Sequence, residues 1–296
     1  MNAEILASQG SAEHYTGRPM TIDLHTHTRH SDGTFEPRES VALALERGLR
    51  VLAVTDHDTT AGIDEAEEAA QGSGLEVVPG VEFSAEYEGG SVHVLGYWMD
   101  PDHPEFRDEL TRLREDRVRR GERMVERLRA LGHPVTAERV REIAAGGSVG
   151  RPHVAQALVE AGVVPTIKDA FSEELIGTGG RAYVPKHALH PVEAVRLIRR
   201  AGGLAVLAHP VHWRDGIPTP DALIDEMVEA GLDGIECSHP DQDPPVEARY
   251  RERAARHGLV ATGSSDCHGT RYDPIRMGCR TTDPEEFERL QARRRR

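Results

Sequence analysis

The sequence predicts a parallel β/α fold that is interrupted by a helical insertion. Short apolar segments alternate with amphipathic helical segments over residues 21–100 and again over residues 191–262. Between these two halves, residues 104–182 contain no convincing strand pattern. Metal-preferring side chains follow most of the apolar segments, and the strand ends of a β/α barrel converge on one face. These three observations predict a barrel with a functional site at its strand ends.

The predicted strands are short runs of Val, Leu, Ile and Ala, because aromatic residues are scarce in this chain. We predict strands at residues 22–24, 51–55, 77–81, 92–97, 204–208, 234–237 and 259–262. The first helix, at residues 37–47, is followed by Gly48, which is a typical helix stop. The other helices of this alternation are predicted at residues 64–71, 191–200, 221–230 and 247–257. Strands that alternate with helices favour a parallel sheet.

The segment between the two halves is predicted to be helical. Its helices are expected at residues 105–131, 137–144 and 152–161. The charged run EDRVRRGER, at residues 115–123, is typical of a solvated helix face with charge pairs four residues apart. We therefore divide the chain into a disordered leader at 1–20, a barrel domain at 21–103 and 183–296, and a helical insertion at 104–182 that covers the barrel mouth as a substrate cap.

The composition excludes several classes of protein. A net charge of −14 over 296 residues argues against wholesale binding to duplex DNA, which needs clustered Lys and Arg. The three cysteines form no CxxC pair, which fits a reduced, cytoplasmic protein. No apolar run approaches the roughly 18 residues that span a membrane, and the first residues lack a hydrophobic signal region. We therefore expect a cytoplasmic protein without membrane contact.

The first candidate site is the HTH sequence at the end of the first predicted strand. In an extended strand, His25 and His27 would point to the same side, about 7 Å apart, as two arms for one metal ion. Asp32 follows in a turn, where an Asx turn is the alternative to a role as a ligand.

A second candidate site follows the apolar run VLAV. Here His57 stands between Asp56 and Asp58, and ionisable groups at a strand end have no packing role. One of the two aspartates could orient His57 as a metal ligand. Alternatively, Asp58 caps the helix that begins near residue 60.

The remaining candidate ligands also lie in or after apolar runs. Glu82 stands in GVEFSAE, and buried glutamates are rare unless they are paired or bound to a metal. The two oxygens of a carboxylate can bridge two metal ions. His93 lies inside an apolar strand, where it is either a ligand or a satisfied core residue. His209 follows LAVLA, and the DCH sequence places Asp266 and His268 on one side with its cysteine turned away. Histidine and carboxylate ligands together suit zinc, manganese or iron, and nine such groups are too many for one tetrahedral ion.

Taken together, these motifs carry a resemblance to a known family. The segments DLHTHTRHSDG, AVTDHDT, GVEFSAE, HVLGY, LAHP and GSSDCHG resemble the PHP family, the polymerase and histidinol phosphatase superfamily. The resemblance extends from residue 22 to about residue 278. The segment SVGRPHVAQALVEAGVV, followed by AF and GGRAYVPK, is similar to the nucleotide-phosphoesterase branch. That branch includes a 3′,5′-nucleotide bisphosphate phosphatase that also works as a 5′-to-3′ exoribonuclease.

The resemblance implies a distorted seven-stranded β/α barrel with a trinuclear metal centre and a helical insertion. It assigns the first ion to His25, His27, Glu82 and Asp266, the second to Glu82, His93 and His209, and the third to Asp32, His57 and His268. The Asp32 position is often histidine in relatives, and an oxygen ligand there makes manganese or iron more plausible than an all-zinc cluster. We therefore expect two or three divalent ions of manganese, iron or zinc.

Four further residues are candidates for contact with the substrate. Arg151, in GRPH, could bind a phosphate with its guanidinium fork, and its alternative is a surface arginine paired with a helix carboxylate. His239, in GIECSHP, could protonate a leaving oxygen or contact the phosphate, or could be a turn residue. Lys186 and Arg181 are additional phosphate-binding candidates. Arg151 and His239 are therefore the candidate catalytic residues.

The resemblance implies a metal-dependent phosphoesterase that cleaves phosphomonoesters with a metal-activated hydroxide. The expected substrates are 3′,5′-bisphosphonucleosides, nucleoside monophosphates and the 5′ ends of short single-stranded RNA, but not duplex DNA. One alternative is a histidinol-phosphate phosphatase, against which the GRPHVAQALVE segment speaks. Another is a non-catalytic PHP module that only binds a partner.

Overall fold

The protein is described by a computed structural model that covers residues 21–146, 149–185, 188–211 and 217–295. The leader predicted at residues 1–20 lies outside these described residues. Seven strands form one sheet and follow one another in the order of the sequence. They are β1 (Ile22–Asp23), β2 (Val51–Val54), β3 (Glu76–Tyr87), β4 (Gly90–Tyr97), β5 (Leu204–Leu207), β6 (Gly234–Ser238) and β7 (Val260–Gly263).

The sheet nearly closes into a barrel. Beyond its two edge strands, Thr26 and Cys267 form an isolated parallel bridge, and the N–H of His27 donates to the carbonyl oxygen of Cys267 at 2.8 Å. The N–H of Thr282 also donates to the carbonyl oxygen of Ile22 at 2.9 Å. The predicted α/β class, a distorted seven-stranded barrel, is therefore confirmed.

The sheet is mixed, and the parallel arrangement expected from the alternation of strands and helices is wrong for β4 alone. β1, β2 and β3 are parallel, as are β5, β6 and β7, but β4 is antiparallel to both of its neighbours. The cause is a tight hairpin at Glu88 and Gly89, which both have positive φ angles, 47° and 77°. The hairpin also makes β3 much longer than the predicted strand at residues 77–81.

Ten α-helices occur in the described part of the chain. They are α1 (Pro37–Glu46), α2 (Ile63–Ala70), α3 (Pro104–Ala130), α4 (Ala137–Ala144), α5 (Arg151–Glu160), α6 (Ile167–Ala170), α7 (Pro191–Arg200), α8 (Asp221–Glu229), α9 (Pro244–Arg256) and α10 (Pro284–Ala292). Helix α10 was not predicted, because Phe287 and Leu290 are its only large apolar residues, and both are buried against the barrel. No helix of the described residues combines the length and apolar character that crossing a membrane requires.

Helix α3 links the barrel to the insertion. Its first half packs Phe106, Leu110 and Leu113 into the hydrophobic cluster between the sheet and α7. Its second half places Met124 and Leu128 in a separate cluster that α4, α5 and α6 complete. Burying such side chains contributes about 1.5–3 kcal/mol each. One continuous helix thus fixes the position of the insertion on the barrel.

Candidate metal centre

The candidate ligands meet at the ends of the strands. His25 and His27 follow β1, His57 follows β2, Glu82 and His93 lie within β3 and β4, and His209, Asp266 and His268 follow β5 and β7. The chain beyond β2 continues along β3, since His57 and Glu82 form a parallel bridge. Asp266 has a φ angle of 48°, which is uncommon for a residue with a side chain and occurs often at functional sites.

The two histidines of the HTH sequence point to the same group, with Asp266, although they lie beyond the regular part of β1. β1 ends at Asp23, whose carboxylate accepts from the N–H of Ser265 at 3.0 Å and from the N–H of Gly278 at 2.8 Å. Beyond β1, Thr26 contacts both edges of the barrel, since it bonds to Thr55 after β2 and forms the bridge to Cys267 after β7. The side chains of His25 and His27 converge, and their Nε2 atoms lie 3.1 Å apart.

The nine predicted ligands form four overlapping groups whose ligand atoms lie within 4.8 Å of one another. The groups are His27, Asp32, His57 and His268; His25, Glu82 and His209; His25, His27 and Asp266; and His57, Glu82 and His93. Glu82 belongs to two groups, as a bridging carboxylate would. His25, His27 and His57 also belong to two groups each, so the sets overlap more than the family resemblance implies.

The chemistry of these groups fits divalent cations. The Oε2 atom of Glu82 and the Oδ1 atom of Asp266 are buried, and neither has a hydrogen-bond partner among the described residues. The Oε2 atom of Glu82 nevertheless lies 3.2 Å from the Nε2 atom of His27 and 3.3 Å from that of His25. Buried polar atoms normally find partners, so lone pairs that converge in this way indicate a cation site.

The electrostatic potential of the cluster is strongly negative. Burial alone would lower the pKa of His27, but the carboxylates of Asp266 and Glu82 outweigh it and raise that pKa to about 10. For His93, burial and the neighbouring His209 and His57 lower the pKa to about 3, so this imidazole is neutral. Imidazoles and buried carboxylates are the ligand types that a transition metal uses, and a bound metal would displace the proton of a charged ring such as His27.

Glu236 is a buried member of the centre that the sequence analysis missed. It lies on β6 with no exposed surface, and its Oε1 atom is 3.1 Å from the Nδ1 atom of His25. Its Oε2 atom accepts from the N–H of His209 at 2.9 Å. A carboxylate behind a ligating imidazole fixes the orientation of the ring. The criterion that singled out Glu82, a glutamate inside an apolar strand, would also have found Glu236.

Asp58 does not cap a helix, so that alternative was wrong. Helix α2 begins only at Ile63, after Gly62. The Oδ1 atom of Asp58 instead accepts from the N–H of Ser84 at 2.9 Å, and its Oδ2 atom accepts from Nε of Arg117 at 2.6 Å. The other aspartate, Asp56, accepts from the N–H and hydroxyl of Thr28, at 2.7 and 2.6 Å. Asp56 therefore holds the loop after β1, and Asp58 connects β3 to α3.

Arg117 connects the insertion directly to the centre. This residue of α3 donates from Nη2 to the Oγ atom of Ser84 at 2.6 Å, and that oxygen lies 3.2 Å from the Nδ1 atom of His57. The charged run at residues 115–123 was predicted to be a solvated helix face. This prediction is correct for Arg119, which is exposed and pairs with Glu115 four residues earlier. The prediction is wrong for Arg117 and Arg120, which face the protein interior.

A cleft of about 220 Å³ adjoins the ligands, and Arg151 lies in its wall. The cleft is lined on one side by Asp32, His57, His93, Ser84, Glu86, Gly89 and Ser91, and on the other by Arg117, Arg120, Arg151, Pro152, Phe171, Thr178 and Tyr183. The Arg151 guanidinium lies 5.4 Å from the ring centre of Phe171 and 5.7 Å from that of Tyr183. Burial, together with the nearby charge of Arg151, lowers the pKa of Arg120 to about 10.

The other three substrate candidates lie elsewhere. His239 has no exposed surface, and its Nε2 atom is 3.4 Å from Oδ2 of Asp266 while Nδ1 accepts from the N–H of Asp241 at 3.1 Å. Arg181 is exposed and pairs with Glu174 at 3.3 Å. Lys186 lies outside the described residues.

A nearly closed β/α barrel with overlapping histidine and carboxylate groups at its strand ends defines a metal-dependent hydrolase. The family model described as PHP domain matches residues 23–137. The chain is 36% identical over 261 residues to the 5′-3′ exoribonuclease Rnm of Salmonella typhimurium, covering 88% of this chain and 89% of that protein. It is 35% identical to the 3′,5′-nucleoside bisphosphate phosphatase of Chromobacterium violaceum, covering 83% of this chain and 87% of that protein.

A solved structure shows the same relationship. The crystal structure of a putative metal-dependent phosphoesterase from Bifidobacterium adolescentis aligns with a TM-score of 0.86 and 37% identity, over 93% of this chain and 96% of that one. The chain therefore belongs to the PHP family, and it is a metal-dependent phosphoesterase. The family predicted from the six sequence motifs is confirmed.

Proposed function

We propose that this enzyme hydrolyses phosphomonoesters of nucleotides, namely 3′,5′-bisphosphonucleosides, nucleoside monophosphates and the 5′-phosphorylated ends of short single-stranded RNA. The observation that carries the proposal is the cleft, where candidate metal ligands face three arginines and two aromatic rings. The metal ligands, once they hold ions, and the arginines would bind a phosphate, and the aromatic rings would stack on a nucleobase. The names of the two relatives support the same substrate class.

The proposed centre holds two or three ions of manganese, iron or zinc. We assign them to His25, His27, Glu82 and Asp266; to Glu82, His93 and His209; and to Asp32, His57 and His268. Bound divalent ions in such a centre lower the pKa of water and neutralise phosphate charge. The carboxylate oxygen of Asp32 favours manganese or iron, because oxygen ligands suit these harder ions.

The residues of the insertion, 104–182, would act on the rest of the substrate as a cap. Arg151 is the residue we assign to the phosphate, because its guanidinium can donate two parallel hydrogen bonds to phosphate oxygens. Phe171 and Tyr183 would pack against the base. The buried charge of Arg120, 7% exposed, adds positive potential at low dielectric.

We assign His239 to the positioning of Asp266 rather than to proton transfer. Its complete burial and its 3.4 Å contact with the Asp266 carboxylate support this role. Arg181 pairs with Glu174 on the surface, which favours a structural role for it. The cationic wall of the cleft also disfavours histidinol phosphate, whose organic part carries positive charge.

A phosphate-release assay of the purified enzyme with manganese tests the proposed function. The substrates are a 3′,5′-bisphosphonucleoside, a nucleoside monophosphate, a short 5′-phosphorylated RNA, histidinol phosphate and duplex DNA. We expect the bisphosphonucleoside and the RNA to be cleaved with the highest kcat/KM. Faster turnover of histidinol phosphate than of every nucleotide would refute the proposed substrate class.

Replacing Arg151 with alanine is expected to lower kcat/KM for these nucleotides by about 30- to 1000-fold, or roughly 2–4 kcal/mol, through loss of a charge-assisted phosphate contact. Arg151→Lys should recover only part of the loss, since a lysine cannot form the bidentate contact. Steady-state kinetics measures the effect, and metal content should not change. Arg181→Ala, another arginine of the insertion, is the control and should remain within about twofold. Equal kinetics for the two alanine variants would mean that Arg151 does not contact the phosphate.

A further inference from the structure

A second cavity, which we call the groove, adjoins the metal centre. Its volume is about 420 Å³, larger than that of the cleft. Its walls come from the barrel segment around Arg29 and Thr34, from the short 3₁₀ turn Gly269–Arg271, and from α4, α5 and α6 of the insertion. The groove therefore lies between the insertion and the barrel, as the cleft does.

At two places, residues that line the groove are neighbours in the sequence of residues that line the cleft. Gly33 and Thr34 of the groove directly follow Asp32, which lines the cleft, and Nε of Arg271 donates to the main-chain oxygen of Asp32. Gly33 leaves no room for a side chain, because a Cβ atom there would collide with the main chain of His27. One wall of the groove is thus held rigidly against a candidate metal ligand.

Helix α5 forms the second connection. Its first two residues, Arg151 and Pro152, line the cleft, whereas His153 and Gln156 line the groove. The N-terminal half of this helix thus contributes to the walls of both cavities. The two cavities offer places for two consecutive units of a chain.

The charge of the groove differs from that of the protein as a whole. The chain carries a net charge of −14, yet the side chains that line the groove include Arg29 and Arg271 and no carboxylate. Glu36 offsets part of this charge, since it pairs with Arg29 at 3.0 Å. Such a lining favours an anion.

The rest of the lining is neutral. Burial lowers the pKa of His153 to about 4, so this ring carries no charge at neutral pH. Ile143 and Ile167 supply an apolar surface, and Gln156, Thr34 and Thr270 supply hydrogen-bonding groups. A nucleotide has the same combination of an anionic link, a polar sugar and a flat apolar base face.

We propose that the groove binds the second nucleotide of a single-stranded oligonucleotide whose phosphorylated end lies at the metal centre. The inference rests on the proposed function and assigns a site to the second nucleotide of the RNA substrate. The phosphodiester link would meet Arg29 and Arg271, and the base would pack against Ile143 and Ile167. A free nucleotide would fill only the cleft and leave the groove to solvent.

Gln156 offers a test that leaves the metal centre untouched. It is half-buried on α5 and its amide donates to Glu160 at 3.2 Å, so glutamate and lysine can replace it on the helix surface. The test compares the Gln156→Glu and Gln156→Lys variants on two substrates, a 3′,5′-bisphosphonucleoside and a 5′-phosphorylated tetranucleotide RNA. The negative charge of Gln156→Glu should lower kcat/KM for the tetranucleotide by about tenfold, as expected for the loss of one charge-dependent contact.

The two controls are internal to the experiment. Gln156→Lys should keep or increase the activity on the tetranucleotide, and both variants should cleave the bisphosphonucleoside within about twofold of wild type, which also shows that they are folded. Equal effects on the two substrates, or no effect on either, would overturn the groove proposal while the proposed function stands. Failure of the wild-type enzyme to cleave any nucleotide would instead refute the proposed function.

Binding measured without turnover makes the groove test independent of catalysis. Fluorescence anisotropy of a labelled 5′-phosphorylated tetranucleotide should give about tenfold weaker affinity for Gln156→Glu than for Gln156→Lys, with a difference that shrinks at high salt. Equal affinities of the two variants would overturn the proposal, whatever the rate of hydrolysis.

Discussion

Replacing Glu82 with glutamine is expected to remove most of the bound metal and to lower phosphoesterase activity by at least about a hundredfold, because metal-ion stabilisation of the transition state is worth several kcal/mol. The carboxylate is fully buried and stands among five imidazoles. Its Oε1 atom lies 2.7 Å from the Nδ1 atom of His93 and 3.0 Å from the Nε2 atom of His209. Its Oε2 atom lies 3.0–3.3 Å from His25, His27 and His57. A neutral amide at this position offers one weak oxygen ligand where a carboxylate offers two charged ones.

The measurement is elemental analysis of protein reconstituted with manganese, together with kinetics. Wild-type protein should hold more than one equivalent of transition metal. The control is Glu236→Gln, which removes another buried carboxylate that contacts His25 and the N–H of His209. Loss of such an orienting group typically reduces metal affinity or activity by about 10- to 100-fold, so this variant should keep more metal than Glu82→Gln. Normal metal content in Glu82→Gln would contradict a bridging role.

Most of the candidate ligands could be predicted from the sequence because they lie in or shortly after a strand. A short apolar run defines the strand, and the fold then brings its end to the common face, so the position of His209 in LAHP is sufficient to place it. The pairing direction of β4 could not be predicted in this way. It depends on two positive φ angles at Glu88 and Gly89, and the period of the apolar residues in a strand does not encode its direction.

The contacts between the insertion and the barrel also could not be predicted from the sequence. Arg117 and Arg119 belong to one charged run. Helical periodicity places Arg117, but not Arg119, on the same face as Leu113. It does not identify Asp58 as the partner of Arg117. The side chain of Arg117 is 15% exposed and that of Arg119 is 60% exposed. The difference arises from packing, because Phe106, Leu110 and Leu113 fix the rotation of α3 on the barrel.

This difference leads to the second large prediction, which concerns stability. Arg117→Met is expected to lower the free energy of unfolding by about 3–5 kcal/mol, because it removes one partner of a buried ion pair and leaves the buried Asp58 carboxylate without its counter-charge. The Asp58 side chain is 2% exposed, and its Oδ2 atom lies 2.5 Å from Nη2 of Arg117. Denaturant unfolding of the metal-free protein measures the loss without a contribution from bound metal.

Two further variants separate the ion pair from a general effect of charge on α3. Arg119→Met, two positions further along the same helix, removes an exposed arginine paired with Glu115 and should change stability by less than about 1 kcal/mol. The double variant Asp58→Asn and Arg117→Met should be more stable than Arg117→Met alone, because the buried charge is then absent. Equal stability of the Arg117→Met and Arg119→Met variants would mean that the pair does not fasten α3 to the barrel. A large loss confined to Arg117→Met would instead show that the insertion is anchored through Asp58, the residue next to the candidate ligand His57, so that the cap and the metal centre are stabilised together.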